Sequence, residues 1–316
     1  MTSLRVATYN LYLGADVTVV FGATSAEDLA ARARLVLAQV LATDFPARAG
    51  AIAAILVRER VDVVGLQEVA QWSRAVDAAD SGADGGERSE VWLDFLDELL
   101  AALRRAGEVY DVHACTANFR GGAVIPGEAA MTVLGHNVVL VRKGSGVTVT
   151  GERTGDFTRT LDVATGMPDL VLNIARSWGR VDAEVHGHPF RFVNTHTEAW
   201  DETVRNAQRD ELLAAIGWDD SPVVLVGDFN AAPEAVGMPS SYVDAWAVAG
   251  RDRDGLTCGQ SADLSGESRL AERIDYVFVR DAEVTGCWVV GALPEDRTAS
   301  GLWPSDHAGV VADILL

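Results

Sequence analysis

Pro222-Val223-Val224-Leu225-Val226-Gly227-Asp228-Phe229-Asn230 decides the fold class of this chain of 316 residues. Its apolar, mostly β-branched residues predict a strand that is buried on both faces. Asp228 and Asn230 follow two positions apart, and side chains at that spacing point the same way in extended backbone. We therefore expect both to face one spot at the carboxyl end of the strand, where open α/β sheets bind ligands. Taken alone, the pattern is equally typical of a residue that caps a helix or turns the chain.

Five other segments join a predicted strand to a residue that could do chemistry. These are Asn10 after strand 5–9, Glu68 after strand 61–66, His196 after strand 190–195, Asp275 inside strand 273–279, and Asp306 with His307 before strand 308–314. In this order, the six segments resemble the endonuclease/exonuclease/phosphatase family, which includes DNase I-like nucleases, inositol polyphosphate phosphatases and neutral sphingomyelinases. The segments run from Arg5 to Ile314, so the resemblance covers nearly the whole chain.

The resemblance implies a fold. It predicts an α/β (α+β) four-layer sandwich, in which two mixed β-sheets pack face to face between helices and the site lies at one edge of the sheet pair. Spacing alone predicts only an α/β protein with mixed sheets. Because the matching segments lie near both ends of the sequence, we expect one domain over residues 1–316.

Local patterns place the remaining elements. Ser25, with Asp28 three residues later, predicts the start of a helix, and Pro46 predicts the start of a second helix that runs to Arg60. The apolar spacing over 91–103 predicts a third helix, which follows a flexible loop over 78–86. We expect strands over 137–142, 146–150, 177–185 and 189–194, and a helix over 202–216.

Composition limits the class of protein and its partners. Hydrophobic residues make up 48% of the chain and charged residues 23%, as is ordinary for soluble globular proteins. The formal charge of −20, with 46 acidic against 26 basic residues, disfavours a nucleic acid as partner, because such partners are gripped by basic surfaces. The balance favours a small phosphorylated molecule held by a few arginines.

Cysteine usage and the start of the chain give expectations about location. Three cysteines outside any paired motif favour a reducing compartment, and no apolar run is long enough to span a bilayer. The first strand begins by residue 4 or 5, which leaves no room for a signal peptide. We therefore expect a cytoplasmic protein without a membrane span, and we expect a monomer.

Phosphoester hydrolysis requires a divalent ion, an oriented water and donors around the phosphoryl oxygens. Glu68 is the strongest candidate ligand, because Mg²⁺ prefers one or two carboxylates. The resemblance adds Asn10 and Asp306 as its companions, either as ligands or one layer behind them. The expected cofactor is Mg²⁺ or Mn²⁺.

The remaining motif residues suit proton transfer. We expect Asp228 to take the proton of the attacking water and Asn230 to orient that water or a phosphoryl oxygen, although the family's matching aspartate has also been interpreted as a second metal ligand. His307 and Asp275 should form an imidazole–carboxylate pair. A charged His307 would hold a phosphoryl oxygen or protonate the leaving group, and His196 would donate to the scissile phosphate.

Three further residues are candidates for substrate binding. Asn137 stands at a strand start where family members carry a polar residue, and Arg120 and Arg176 could bind phosphates bidentately. Tyr12 stands where abasic-site nucleases of the family carry an Asp. We find neither the basic, aromatic-interleaved loops of a DNA grip nor the lysine-rich loops of inositol polyphosphate phosphatases.

The sequence thus predicts a metal-dependent hydrolase that acts on a small phosphorylated molecule or a lipid headgroup by in-line attack of an activated water. The alternative is an endonuclease or exonuclease that cleaves DNA or RNA. A non-catalytic binding module on the same fold is a third possibility, and it would predict the loss of catalytic side chains that this chain retains.

Overall fold

The computed structural model describes residues 2–76, 88–123, 130–167, 171–217, 221–251 and 254–316, so the loop predicted over 78–86 lies outside the described residues. Within them the strands are β1 (Ser3–Asn10), β2 (Val63–Val76), β3 (Arg88–Asp94), β4 (Tyr110–Ala123), β5 (Met131–Arg142), β6 (Val147–Asp156), β7 (Leu161–Ala164), β8 (Val171–Ile174), β9 (Ser177–Val185), β10 (His188–His196), β11 (Val223–Asp228), β12 (Val243–Asp244), β13 (Asp275–Arg280), β14 (Glu283–Val290) and β15 (Gly309–Leu315). The helices are α1 (Ala26–Ala42), α2 (Phe45–Glu59), α3 (Phe95–Arg105), α4 (Glu202–Ile216) and α5 (Ala245–Ala249), with 3-10 turns over Val17–Gly22 and Pro294–Asp296.

The strands form two large mixed sheets. The first has the order β14-β15-β1-β2-β5-β4, with β3 beside β2, and the second has the order β12-β13-β11-β10-β9-β6. Strands β7 and β8 pair separately. Two neighbouring pairs run parallel, β1 with β2 and β10 with β11, and the other described pairs are antiparallel. Each sheet therefore has one place where two strands end side by side.

The two sheets pack face to face between helices. Apolar residues of both inner faces, such as Val6 and Phe192, share one core. The outer face of the first sheet packs against α1, α2 and α3, where Leu66 and Leu56 share a second core. The outer face of the second sheet packs against α4 through Leu212. This order of helix, sheet, sheet and helix is the four-layer sandwich that the family resemblance predicted.

Near their shared edge, buried polar side chains link the two sheets by hydrogen bonds, and one glycine lets the sheets approach closely. Gly65 has no room for a side chain, since an added Cβ would lie 2.7 Å from Oδ1 of Asn194 on the opposite sheet. Asn194 donates from Nδ2 to the carbonyls of Leu66 at 2.9 Å and Val138 at 3.1 Å, and its Oδ1 accepts from Nε2 of Gln67 at 2.6 Å. These buried hydrogen bonds fix how the strand ends of the two sheets lie relative to each other.

The third helix begins later than the sequence predicted. Val91 lies in β3, where it pairs with Ser73 of β2, and the helix starts only at Phe95. Asp94 sets that start, because its Oδ1 accepts from the amides of Leu96 and Asp97. The predictions over 177–185 and 202–216 are confirmed as β9 and α4.

The first two helices begin where the sequence predicted. The hydroxyl of Ser25 accepts from the amide of Asp28 at 3.1 Å, and Pro46 lies in the first turn of α2. Among the described residues, no single helix is long and apolar enough to cross a membrane. The pair of α1 and α2, bent by 47°, passes that test together by length and composition alone.

Candidate functional site

The carboxyl ends of both parallel pairs meet at one edge of the sandwich. Asn10 ends β1 in register with Gln67, and His196 ends β10 in register with Asp228. Asp275, the first residue of β13, lies opposite Asp228. A pocket of about 300 Å³ opens at this edge, and seven residues that the sequence proposed for the site line it: Glu68, Arg176, His196, Asp228, Asn230, Asp306 and His307. Asn10 and Asp275 lie behind the pocket and bond to its lining.

Glu68 owes its direction to a bulge in β2. The register of β2 against β5 shifts between Leu66 and Val69, and Glu68 has a left-handed φ of 54°. Its Oε2 accepts from the Leu13 amide at 2.8 Å, and its Oε1 accepts from Nδ2 of Asn10 at 3.3 Å. The bulge therefore aims a carboxylate into the pocket that a regular strand would direct elsewhere.

Asp306 lies beside Glu68 in the loop before β15. Burial, together with the negative charge of Glu68, raises the pKa of Asp306 to about 6 against the opposing effects of His307 and Arg48. Within the described part of the chain, neither carboxylate forms a salt bridge with a Lys, Arg or His nitrogen. Two adjacent carboxylates without a cationic partner fit a hard divalent cation such as Mg²⁺ or Mn²⁺. We call Asn10, Glu68 and Asp306 the acidic side.

The orientation of Asn10 makes it a support for the carboxylates. Its Oδ1 accepts from the Tyr12 amide at 2.9 Å, and its Nδ2 donates to Oδ2 of Asp228 at 3.0 Å as well as to Glu68. Its amide oxygen is thus already engaged by the main chain. Of the three residues that the sequence grouped around the metal, Asn10 orients carboxylates, and Glu68 and Asp306 supply carboxylate oxygens to the pocket.

Arg48 of α2 holds the loops that carry the acidic side. This residue is fully buried, and its guanidinium donates to the main-chain carbonyls of Thr43, Leu11, Tyr12 and Pro304. Two of those carbonyls directly follow Asn10, and that of Pro304 lies two residues before Asp306. Burial lowers the pKa of Arg48 to about 10, which still leaves it charged at neutral pH.

His307 and Asp275 form the expected imidazole–carboxylate pair, with Nδ1 and Oδ2 2.9 Å apart. Burial opposes a charge on His307, but Asp275 outweighs it, with help from Cys258 and Asp306, and the pKa of His307 lies well above its usual range. Nε2 of His307 lies 3.8 Å from Oδ2 of Asp228. Ligand atoms of Asp228, Asp275 and His307 all lie within 4.8 Å of one another and could together hold a metal ion. The hydrogen bond to Asp275 already engages one ring nitrogen, so we favour a proton-transfer role.

Asp228 and Asn230 both line the pocket because the chain turns directly after Asp228. The extended geometry expected for them is wrong, because β11 ends at Asp228 and Asn230 has a left-handed φ of 48°. The Asn230 amide donates to Oδ1 of Asp228 at 2.9 Å, and Nδ2 of Asn230 donates to the Thr197 carbonyl at 2.9 Å. Gly227 is required just before, because φ is 151° and an added Cβ would meet the Thr195 carbonyl. Burial, then the charge of Asp275, raises the pKa of Asp228 to about 7.

His196 completes this part of the pocket as a neutral imidazole. Burial and then the charge of Arg176 lower its pKa well below the usual value. Its Nε2 lies 3.6 Å from Oδ2 of Asp228, and its Nδ1 is buried without a hydrogen-bond partner among the described residues. A neutral ring can donate from only one nitrogen. We call His196, Asp228, Asn230, Asp275 and His307 the histidine side.

The three predicted substrate-binding residues occupy different places. Arg176 lines the pocket, 3.7 Å from Glu198 and 6.0 Å from the Trp200 ring. Asn137 does not line it; it is fully buried, and its Nδ2 donates to Oδ1 of Asn118 at 3.1 Å. Arg120 lies on the wall of a neighbouring apolar cavity.

Asn118 is one of the polar lining residues that sequence reasoning missed. Its Oδ1 accepts from the amide and hydroxyl of Ser177 and from Nδ2 of Asn137, which leaves its own amide nitrogen to face the pocket. It lies where the register of β4 against β5 shifts between Ala117 and Phe119. The available signal was a small polar residue inside a strand pattern, which is weak.

Comparison with known proteins identifies the family of the chain and similar solved structures. The model of the endonuclease/exonuclease/phosphatase family matches residues 7–307, and no curated protein matches the chain by sequence. A Bacteroides vulgatus endonuclease/exonuclease/phosphatase is 20% identical, with a TM-score of 0.58 over 100% of both chains. TDP2 of D. rerio, solved with a single-strand DNA product, is 15% identical, with a TM-score of 0.61 over 100% of both. A mannosyl-6-phosphatase of Bacteroides thetaiotaomicron is 19% identical, with a TM-score of 0.58 over 99% of this chain and 100% of that one. These likenesses confirm the predicted fold.

Proposed function

Since the chain belongs to the endonuclease/exonuclease/phosphatase family, we propose that it is a divalent-metal-dependent phosphatase or phosphodiesterase that acts on a small phosphorylated molecule or a lipid headgroup. Members of this family hydrolyse phosphoesters. The observation that carries the proposal is one pocket lined by Glu68 and Asp306, which form no salt bridge among the described residues, and also by Asp228 and His307.

The acidic side is where we place the metal. Glu68 and Asp306 would hold Mg²⁺ or Mn²⁺, and Asn10 would keep Glu68 in place through its Nδ2. A cation bound there supplies positive charge to the phosphoryl oxygens as negative charge develops in the transition state.

The histidine side supplies the proton transfers. A pKa of about 7 lets Asp228 accept the proton of the attacking water near neutral pH. Asn230 lies beside it to orient that water or a phosphoryl oxygen. His307, charged because of Asp275, would hold a phosphoryl oxygen or protonate the leaving group. Neutral His196 would donate a hydrogen bond to the scissile phosphate.

The similar structures support phosphoester chemistry without choosing a substrate. One of them is a phosphatase that acts on a mannosyl-6-phosphate, and the charge of −20 on the present chain favours a similarly small substrate. The alternative is a nuclease, which the TDP2 structure with a single-strand DNA product supports. That alternative predicts cleavage of DNA or RNA that falls steeply with salt, and no cleavage at low salt would exclude it.

A panel of phosphate monoesters and diesters, with Mg²⁺ or Mn²⁺ present or chelated by EDTA, tests the proposal. We expect metal-dependent release of phosphate or alcohol from at least one compound, and no activity from Asp228→Ala. Asp210→Ala is the matched control, because the Asp210 side chain is 67% exposed on α4 and lies outside the pocket. Inactivity of the wild-type protein on the whole panel would refute the proposal.

A further inference from the structure

A second, larger cavity adjoins the candidate site. It has a volume of about 480 Å³, within the range of about 300–1,000 Å³ that small-molecule pockets occupy. Helix α1, the 3-10 turn Val17–Gly22, the facing ends of β4 and β5, and β8 enclose it. The side chains that line it include Val20, Leu29, Leu37, Met131, Val133 and Ile174.

The lining can bury a hydrocarbon but offers little to a polar ligand. Among the described residues, Arg120 and Thr132 are the polar lining side chains apart from Trp72. The indole nitrogen of Trp72 already donates to the Leu13 carbonyl at 3.0 Å. A sugar or a nucleobase is recognised by hydrogen bonds to its hydroxyls or ring edges, and these walls supply few partners for them.

The cavity and the catalytic pocket share walls. Val17 and Phe119 line both of them. Phe21 of the cavity contacts Trp200 of the catalytic pocket edge to face, with ring centroids 5.5 Å apart. The two spaces therefore adjoin along apolar side chains, as an elongated molecule that occupied both of them would require.

We propose that the cavity binds the aliphatic chain of an amphiphilic phosphoester whose phosphate lies between the acidic and histidine sides. This inference rests on the proposed function and narrows its substrate class to phosphoesters that carry a hydrocarbon chain. This acidic chain has few cationic groups to bind the reacting phosphate. Burial of apolar surface in the cavity would supply binding energy away from that phosphate.

A series of n-alkyl phosphates and n-alkyl p-nitrophenyl phosphates with chains of two to ten carbons, kept below their micelle concentrations, tests the proposal. We expect kcat/KM to rise with chain length by up to about fourfold per methylene, the gain when one CH₂ leaves water. The rise should stop when the cavity is full. Equal kcat/KM for ethyl and decyl esters would overturn the proposal.

A matched pair of variants on α1 tests whether the dependence of kcat/KM on chain length arises in the cavity. Leu37 lines the cavity, whereas Leu35, two residues earlier, is 67% exposed and lies outside it. Leu37→Glu should lower the decyl-to-ethyl ratio of kcat/KM about tenfold or more, whereas Leu35→Glu should leave it unchanged. If Leu37→Glu does not fold, Val20→Trp, which fills the cavity, should give the same loss. An unchanged ratio in a folded cavity variant contradicts the proposal.

Calorimetric titration of the wild-type protein in EDTA with decyl and ethyl phosphate separates this inference from the proposed function. Tighter binding of decyl phosphate that Leu37→Glu weakens would support the cavity assignment, even if no ester were hydrolysed and the proposed function failed. Equal or undetectable binding of both compounds would overturn the inference, even in an active hydrolase.

Discussion

The two sides of the pocket carry acidic groups in opposite surroundings. On the histidine side, Asp228 and Asp275 lie next to His307, whose positive charge Asp275 sustains. On the acidic side, Glu68 and Asp306 lie next to each other, and this proximity helps to raise the pKa of Asp306. The first arrangement contains its own positive charge, whereas the two carboxylates of the second form no salt bridge among the described residues, and there we propose the metal. With the roles proposed above, proton transfer and metal binding lie on two sides of one pocket, although Asp306 and His307 come from the same loop before β15.

The largest effect should follow removal of the base on the histidine side. Asp228→Asn keeps the shape of the residue and removes its proton affinity, so we expect kcat to fall about 10³- to 10⁴-fold. Steady-state kinetics measures the fall, and calorimetric titration with Mg²⁺ decides between the two roles of Asp228. Unchanged Mg²⁺ affinity means that Asp228 is a base, whereas a clear loss of affinity means that it is a ligand.

A smaller loss of activity with a different signature should follow a change on the acidic side. Glu68→Gln removes one charged ligand, and we expect an activity loss of about 10²-fold that excess metal partly restores. The wild-type melting temperature should rise with Mg²⁺ or Mn²⁺, and that rise should shrink in the variant. A metal-induced rise as large as that of the wild type would place the metal elsewhere, for example on Asp228, Asp275 and His307.

The pH profile tests how Asp275 sets the histidine side. Activity should rise as Asp228 loses its proton near pH 7 and fall as His307 loses its own at higher pH. The negative charge of Asp275 raises both pKa values, so Asp275→Asn should move both limbs of the profile to lower pH, with a loss of about tenfold at neutral pH. Limbs that stay in place would show that Asp275 does not control these groups.

The smallest effect concerns Asn118, which lines the pocket. One hydrogen bond from its amide nitrogen to a phosphoryl oxygen is worth about 1 kcal/mol, so Asn118→Ala should lower kcat/KM about fivefold. Asn173, an exposed asparagine of β8 outside the catalytic pocket, provides the control substitution Asn173→Ala. Equal effects of the two substitutions on kcat/KM would show that Asn118 does not contact the substrate.

The sequence could predict those site residues whose positions follow from strand ends. Asn10, His196 and Asp228 each close a buried strand, and parallel pairing then brings them to one edge without further information. The helix starts at Ser25 and Pro46 were also predictable, because capping is local.

The features that could not be predicted depend on partner strands. The bulge that turns Glu68 into the pocket forms only where β2 pairs with β5. The bulge beside Asn118 forms only where β4 pairs with β5. The segment at Val91 has a helical apolar spacing, yet pairing with β2 makes it a strand. Long-range pairing overrides local propensity at all three places. The apolar cavity likewise joins elements that are distant in the sequence.

The place of β15 has a consequence for how the protein acquires activity during synthesis. This strand inserts between β14 and β1, and the loop just before it carries Asp306 and His307. A ribosome must therefore translate beyond Leu315 before β1 can pair with its second neighbour. It must translate beyond His307 before the pocket contains Asp306 and His307. Contacts so distant in sequence form slowly, so the nascent chain should stay inactive, with β1 exposing an unpaired edge, until translation passes these residues.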